Sequence, residues 1–315
     1  MKKADVIIPV YKPTEKLFQL LDMLQKQTTE VNEIILVNTE KQYFELLMPE
    51  EQWKEKYKKI QITHITKAEF DHGRTRNLGA GLSRSPYFVM MTDDAVPADE
   101  YLLEKLLAPF EDEQVGMTYA RQLPAKGCGI IESYTRDFNY PPESKEKSAA
   151  DLQKMGIKTF FASNVCAAYR RAYFEELGGF TARTIFNEDM IYARGLINSG
   201  KKIVYAADAK VFHSHNYSGI EQLRRNFDLG VSHAEYPEVF SGLSTESEGI
   251  RLVKRTCVYL CKIGKPWLIV KLFWQSFCKY LGYFLGKRYM RLPRGVVKKL
   301  SMNKEYWKSF KQAVE

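Results

Sequence analysis

The sequence predicts an α/β fold built on a mostly parallel sheet with helices on both faces. Three observations carry the expectation. Short apolar runs alternate with amphipathic stretches through the first third of the chain, the pattern of repeated β-α-β units. Tyr87–Met91 (YFVMM) is apolar, as befits a strand buried on both faces. Polar residues stand just past strand ends, Asn38-Thr39 after one and Thr92-Asp93-Asp94 after another. Open α/β sheets bind ligands at such carboxyl ends.

Taken in order, Ala4–Pro9 is a buried first strand, and Leu17, Leu20, Leu21 and Leu24 recur at helical spacing. Glu33–Asn38 is a second strand, Gln42–Lys59 reads as helix and Ile60–Thr66 alternates like a third strand. Arg74–Leu82 has helix character, yet Asn77, Gly79 and Gly81 are poor helix formers, so packing or a ligand has to hold it. Ser83–Pro86 breaks that helix before Tyr87–Met91. Asp99–Phe110 is a helix burying its leucines, and Val115–Arg121 a strand. From Leu123 to Gly156 prolines and glycines predict a long loop with at most one helix. Thr159–Tyr169 returns as strand, then Arg171–Leu177 as a short helix stopped by Gly178-Gly179. Glu188–Ser199 is helical, Lys202–Ala206 and Ala209–Phe212 are two short strands, and His213-Ser214-His215 follows at once.

Length and charge set the outer bounds. The 315 residues, 45% hydrophobic and 27% charged, suit one large core with an appendage. The five cysteines are irregularly placed without a CxxC pair, which argues against a disulfide scaffold or zinc ribbon and for a reducing cytosol. The apolar run Val6–Val10 is too short for a signal peptide. Residues 251–315 carry sixteen Lys and Arg against two acids, a net +14, whereas the whole chain is +9, so residues 1–250 carry −5. The basicity belongs to the tail, and the body gives no reason to invoke nucleic acid. The expected division is a catalytic domain over 1–240 and a basic helical region over 241–315.

Several residues are suited to chemistry. Arg74 and Arg76 precede the Tyr87–Met91 strand while Asp93 and Asp94 follow it. Cations for a diphosphate and acids for a divalent metal are what a nucleotide-sugar site needs. The plain alternative is that the acids start a turn or cap a helix. Glu188 and Asp189 open a helix, where acids are common for dipole reasons, but such a carboxylate is also well aimed to serve as general base. His213 and His215 alternate at a strand end and so point to opposite sides, leaving at most one as a metal ligand. An Asp/His combination with an open position suits Mg²⁺ or Mn²⁺.

The series VIIPVYK, IILVN, GRTRNLGAGLSRSPYFVMMTDDAVP, ELGGF, FNEDMIYARGLINSGKKIVY and AKVFHSH, in that order over residues 4–235, resembles the family 2 glycosyltransferases. The resemblance implies the Rossmann-like GT-A fold and inverting transfer from a nucleotide sugar. It places Pro9, Tyr11 and Asn38 at the nucleotide, Arg76 near the diphosphate, Asp94 at the metal with help from His213, and Asp189, beside Glu188, as the base. Asp71, His72, Gly73, Asp93, Arg121 and Asn164 complete the expected substrate contacts, and the 123–156 loop would cover the acceptor. Two departures stand out: the second strand ends in Asn38-Thr39-Glu40 rather than Asp-Asp-Gly-Ser, and Thr92 replaces the first acid of the D-x-D motif. FDHGRTRN, TDDA and ARQLP are similar to the rhamnosyltransferase branch, which implies a dTDP-β-L-rhamnose donor and surface-polysaccharide synthesis. A UDP-hexose donor is the near alternative. A nucleotidyltransferase would leave Glu188-Asp189 without a role, and a nucleic-acid binder would rest on the basic tail alone.

Trp267–Gly286 (WLIVKLFWQSFCKYLGYFLG) raises the question of a membrane. Lys271, Gln275, Lys279, Gly282 and Gly286 share one helical face. A spanning helix would put Lys279 near mid-bilayer, at roughly 2.5–3.5 kcal/mol. The expectation is therefore a helix lying on the inner face of the cell membrane, with both lysines in water and Trp267, Phe273, Trp274, Phe277 and Phe284 among the headgroups. Arg251, Lys254, Arg255, Lys287, Arg288, Arg291 and Arg294 would add attraction to anionic lipid. The alternative is a helix packed on the catalytic domain or forming a homodimer seam.

Overall fold

A computed structural model describes residues 3–240 and 246–309. In chain order the elements are β1 (Ala4–Tyr11), α1 (Glu15–Leu24), β2 (Val31–Thr39), α2 (Lys41–Glu45), α3 (Glu50–Lys56), β3 (Ile60–Ile65), α4 (His72–Leu82), β4 (Tyr87–Met91), β5 (Val96–Pro97), α5 (Leu102–Leu107) and β6 (Val115–Leu123). There follow α6 (Ile130–Asn139), β7 (Lys145–Lys147), α7 (Leu152–Met155), β8 (Cys166–Arg170), α8 (Arg171–Glu176), α9 (Glu188–Asn198) and β9 (Lys202–Phe212). The chain ends in α10 (Gly219–Glu235), α11 (Pro237–Phe240), α12 (Glu246–Lys262), α13 (Leu268–Gly286), α14 (Arg294–Leu300) and α15 (Tyr306–Ser309). The chain divides into two units, one of residues 1–123, 140–182 and 188–213, the other of 124–139, 183–187 and 214–315. The sequence suggested a single cut at 240; instead α10 groups with the C-terminal helices, as do two short segments from earlier in the chain.

The first unit is one sheet in the order β3-β2-β1-β4-β8-β6-β9-β5, with β7 also on β9. β3, β2, β1 and β4 run parallel, β8 is antiparallel to both its neighbours, and β6 and β9 are parallel again. Val6, Ile8, Leu36, Val89 and Met91 are fully enclosed beneath Leu17, Leu20, Leu21 and the leucines of α5. Burying that much aliphatic surface, at roughly 25 cal/mol per Å², is the main force holding the sheet to its helices. Buried Asp5 ties the start of β1 to the turn before β4, accepting from the Ser83 and Ser85 hydroxyls, the Arg84 and Ser85 amides and the Asn32 amide. Burial works to raise its pKa, but those five donors together hold it below the usual carboxylate range.

Several predicted elements are cut differently. The 42–59 helix is two, because Pro49 cannot continue a helix and its ring restricts Met48. The helix over 99–110 is α5 followed by a 3₁₀ turn at Ala108–Glu111, which carries Pro109. Of 159–169 only the end is strand. The two short strands after residue 202 are one, β9, with a bulge: its register against β6 jumps from Ala120–Ala206 to Arg121–Lys210.

In the second unit α10 and α13 pack backbone to backbone. A Cβ added to Gly282 would sit 2.1 Å from the Leu223 carbonyl oxygen, and one on Gly286 2.1 Å from that of Phe227. Gln275 donates to the Tyr217 carbonyl at 3.2 Å. The small and polar face of α13 therefore meets a helix, which corrects the expectation that Lys279 stands in water. Burial draws its ammonium below the usual lysine range, while Glu132 on α6 attracts it. A narrow stripe of Gly and Lys fits a helix partner as well as it fits solvent, so helical spacing alone does not separate the two. The opposite face is exposed: Trp267 is 65%, Val270 77%, Phe273 56% and Tyr280 62% accessible. No helix of the described residues is long and apolar enough to cross a membrane.

Candidate active site

α4 is held as its weak propensity requires. Asp71 caps it, accepting from the amides of Gly73 at 3.0 Å and Arg74 at 2.9 Å. Gly73 lies so close to the 181 backbone that a Cβ would fall 1.9 Å from the Thr181 oxygen. Gly79 lies flat on Ile7 of β1. Asn77 clamps Phe180 from both sides, donating to its carbonyl at 2.7 Å and accepting from its amide at 2.9 Å. His72 stands edge-on to Phe70.

This clamp delivers Arg76 to the start of α9. Its guanidinium lies 3.3 Å from Glu188, both side chains under one-tenth exposed, and also donates to the His72 carbonyl. Buried Arg76 Nε has no partner among the described residues. Asn164 organises both acids: its side-chain amide donates to Glu188 at 3.0 Å and its backbone N–H to Asp189 at 3.0 Å. The Tyr169 hydroxyl donates to Asn164 Oδ1 at 2.6 Å, fixing the amide's sense. The two carboxyls are thereby driven apart. Burial alone would raise Glu188, but Arg76, His72 and Asn164 outweigh it and hold its pKa low. Asp189 is pushed well up by burial and by the Glu188 charge beside it, against the Asn164 amide. Glu188 is enclosed and Asp189 half-buried. Adjacent carboxyls with separated pKa values are how a site provides one fixed anion and one proton acceptor.

A second cluster lies beyond β4. Asp94 Oδ1 is 3.5 Å from His213 Nε2. The other ring nitrogen, Nδ1, bonds Gln122 Oε1 at 3.0 Å, and Gln122 in turn donates to the Tyr140 and Ser163 hydroxyls at 2.6 and 3.0 Å. With Nδ1 carrying the proton, the Nε2 lone pair faces a carboxylate oxygen, an arrangement a bound cation satisfies. The Thr92 hydroxyl, two residues before Asp94, is buried and unpartnered among the described residues. One hard oxygen facing one imidazole nitrogen fits a divalent cation. Asp93 instead accepts from the Tyr11 amide at 3.4 Å, and burial together with Asp94 lifts its pKa to about 7.

At the ends of β1 and β2, the Tyr11 ring stands edge-on to Tyr43, with Lys12 and Lys67 over its face. Pro9 pairs with Val37, and Asn38 is fully buried. Arg121 donates to the Tyr140 carbonyl at 3.0 Å, which fastens the chain after α6. His215 falls in the second unit, stacked on Tyr217. Sequence reasoning missed Gln122, which lies inside ARQLP one residue after Arg121 and carries no local mark of its bond to His213.

The profile described as glycosyl transferase family 2 matches residues 5–178. The chain belongs to glycosyltransferase family 2. It is 37% identical over 309 residues to the O-antigen chain rhamnosyltransferase RfbN of Salmonella typhimurium, covering 97% of this chain and 96% of that one. It is 36% identical over 318 residues to the O-antigen chain rhamnosyltransferase WbaN of Salmonella anatum, covering 98% and 96%. Among solved structures it is similar to the mannosyltransferase PcManGT from Pyrobaculum calidifontis in complex with GDP-Man and Mn²⁺, with a TM-score of 0.56 at 15% identity, over 98% of this chain and 84% of that one. The fold is thus the GT-A fold, and the family 2 chain is a glycosyltransferase.

Proposed function

We propose that the protein is an inverting rhamnosyltransferase, moving L-rhamnose from dTDP-β-L-rhamnose onto a hydroxyl of a lipid-linked saccharide during surface-polysaccharide synthesis. The observation that carries the catalytic part is the Asp189 carboxyl, raised in pKa and held by the Asn164 backbone N–H beside a locked Glu188. The rhamnosyl part rests on identity to two O-antigen chain rhamnosyltransferases along nearly the whole of each chain. The acceptor oxygen attacks the anomeric carbon as the bond from that carbon to the diphosphate oxygen breaks. The bonding pair leaves with dTDP, and Asp189 takes the acceptor proton. Asp94 and His213 would hold Mg²⁺ or Mn²⁺, which when bound neutralises the diphosphate. Arg76 keeps Glu188 ionised, so the proton goes to Asp189. Release of nucleoside diphosphate from a panel of donors, with and without Mn²⁺, tests this; turnover of a UDP-hexose and none of dTDP-rhamnose overturns the donor assignment.

The same reading places the chain on the inner face of the cell membrane. The support is the exposed face of α13, where Trp267, Val270, Phe273, Trp274, Phe277 and Tyr280 stand open, in a tail with sixteen cations against two acids. Such a face suits the headgroup layer of an anionic bilayer, where a lipid-linked acceptor resides.

A further inference from the structure

One buried side chain reaches both polar centres of the first unit. Gln122 stands near the end of β6, opposite Val211 of β9. Its Oε1 lies 3.0 Å from His213 Nδ1, while the other ring nitrogen faces Asp94. Its Nε2 donates to the Ser163 hydroxyl at 3.0 Å and to that of Tyr140 at 2.6 Å. Both ends of the amide are engaged, so the side chain has one setting. Ser163 in turn opens a β-turn. Its carbonyl accepts the Cys166 N–H at 3.3 Å, and its hydroxyl accepts the Val165 N–H at 3.4 Å. Asn164 is the first corner of that turn. A corner N–H at this place has no partner inside the turn and points outward, where it meets Asp189 at 3.0 Å. The turn is also tied to the strand end that carries Asp94, because the Thr92 N–H donates to the Val165 carbonyl at 3.2 Å. On its other flank Lys147 holds the Phe161 carbonyl.

We propose that Gln122 is a positioning residue that sets the cation site and the base against each other. One end holds the His213 ring toward Asp94; the other holds the Ser163 turn so that the Asn164 N–H meets Asp189. This rests on the reading of Asp94 and His213 as cation ligands and of Asp189 as base, and deepens it. An inverting displacement has the diphosphate and the acceptor oxygen on opposite sides of the anomeric carbon. The groups that serve them must therefore keep a fixed separation, and a misplacement of about 1 Å can cost roughly 10²-fold in rate. An amide suits the task because it bonds in both directions and adds no charge to either centre. A glutamate would bring a further anion to the ring, and a leucine would leave its partners without their bonds.

The test uses the full chain and needs no sugar donor. Mn²⁺ binding in the presence of dTDP is measured by calorimetry. The Asp189 carboxyl is titrated in the metal-free protein by NMR of isotopically labelled aspartate, and its signal is identified by its loss in Asp189→Asn. Gln122→Met keeps the length of the side chain and removes its bonds. It should weaken Mn²⁺ by about tenfold, the low end for losing the partner that orients a metal-ligating histidine. It should also move the Asp189 midpoint to higher pH, because the Asn164 N–H that favours the carboxylate is no longer aimed at it. Ser163→Ala, at a half-buried position, cuts only the arm toward the base. The midpoint should move the same way there with Mn²⁺ affinity nearly unchanged, and Ser163→Thr, which keeps the hydroxyl, should restore it. Glu188 and Arg76 also act on Asp189, and neither is altered in these variants. A mere loss of folded protein would lower the number of binding sites and leave the affinity and the midpoint where they were. An Asp189 midpoint that stays at the wild-type value in either folded variant, or an Mn²⁺ affinity unchanged in Gln122→Met, overturns the bridge alone. A wild type that binds no Mn²⁺ overturns the cation reading and the bridge with it.

Discussion

Asn164 serves Asp189 through its backbone and not its side chain: the N–H donates to Oδ2 at 3.0 Å, while the amide is spent on Glu188. Mutation of the side chain at 164 thus leaves the base's own hydrogen bond in place and disturbs its neighbour. Asp189→Asn should lower transfer by at least about 10²-fold, the range for losing a general base, with nucleotide affinity nearly unchanged. Because the Asp189 pKa is raised, the acid limb of the rate–pH profile should lie well above the ordinary carboxylate value of about 4. Substantial turnover by that variant would move the role to Glu188.

The two adjacent acids after β4 should behave differently. Asp94→Ala removes an oxygen facing His213, whereas Asp93→Ala removes a bond to the Tyr11 amide. Titration of dTDP with and without Mn²⁺ should show the metal-dependent gain in affinity falling more for Asp94→Ala. The reverse ranking would reassign the metal ligand.

His72 and Asp71 separate into a ring beside the Glu188 charge and a helix cap. Asp71→Ala should cost about 1 kcal/mol of stability, seen in a denaturant melt, because two α4 amides lose their acceptor. The double change with His72→Ala should reduce transfer far more than binding of free dTDP. Equal losses in the two assays would assign both residues to structure.

Lys147 is a buried lysine whose Nζ donates to the Phe161 carbonyl and the Tyr119 hydroxyl. Burial depresses its pKa to about 7, against about 10.4 for an unfolded lysine. Between those values the unfolded chain binds the extra proton, so this residue makes stability rise with pH across that window. Wild type should gain in Tm on Lys147→Met as pH is raised from about 7 to about 9.5. A difference that stays constant with pH would show the ammonium is not titrating there.

Membrane attachment is best tested on the exposed face of α13, because truncation would also uncover α10. Replacing Phe273, Trp274 and Phe277 with serine should abolish co-sedimentation with anionic vesicles while leaving soluble-acceptor transfer intact. Binding equal to wild type would remove this face from the proposal.

The sheet and its order of helices were legible because apolar runs and leucine spacing encode burial directly, and the strand-end acids were legible because such ends place side chains in the ligand crevice. Gln122 was not. Its meaning depends on the register between β6 and β9, which brings it to His213, 91 positions away in the chain. The side on which α13 lies was equally hidden, since Gly282 and Gly286 matter only once Leu223 and Phe227 lie across them.

The stacking of Tyr134 on Tyr259, 4.5 Å between ring centres, joins α6 to α12. The two residues lie 125 positions apart, so on a ribosome the first waits roughly 6–25 s for the second at ordinary elongation rates. During that interval α6 and its aromatic face have left the exit tunnel without their partner. Assembly of the helical unit is thus a late event, completed only when nearly the whole chain has been synthesised, and a stalled or truncated product carries an uncovered α6.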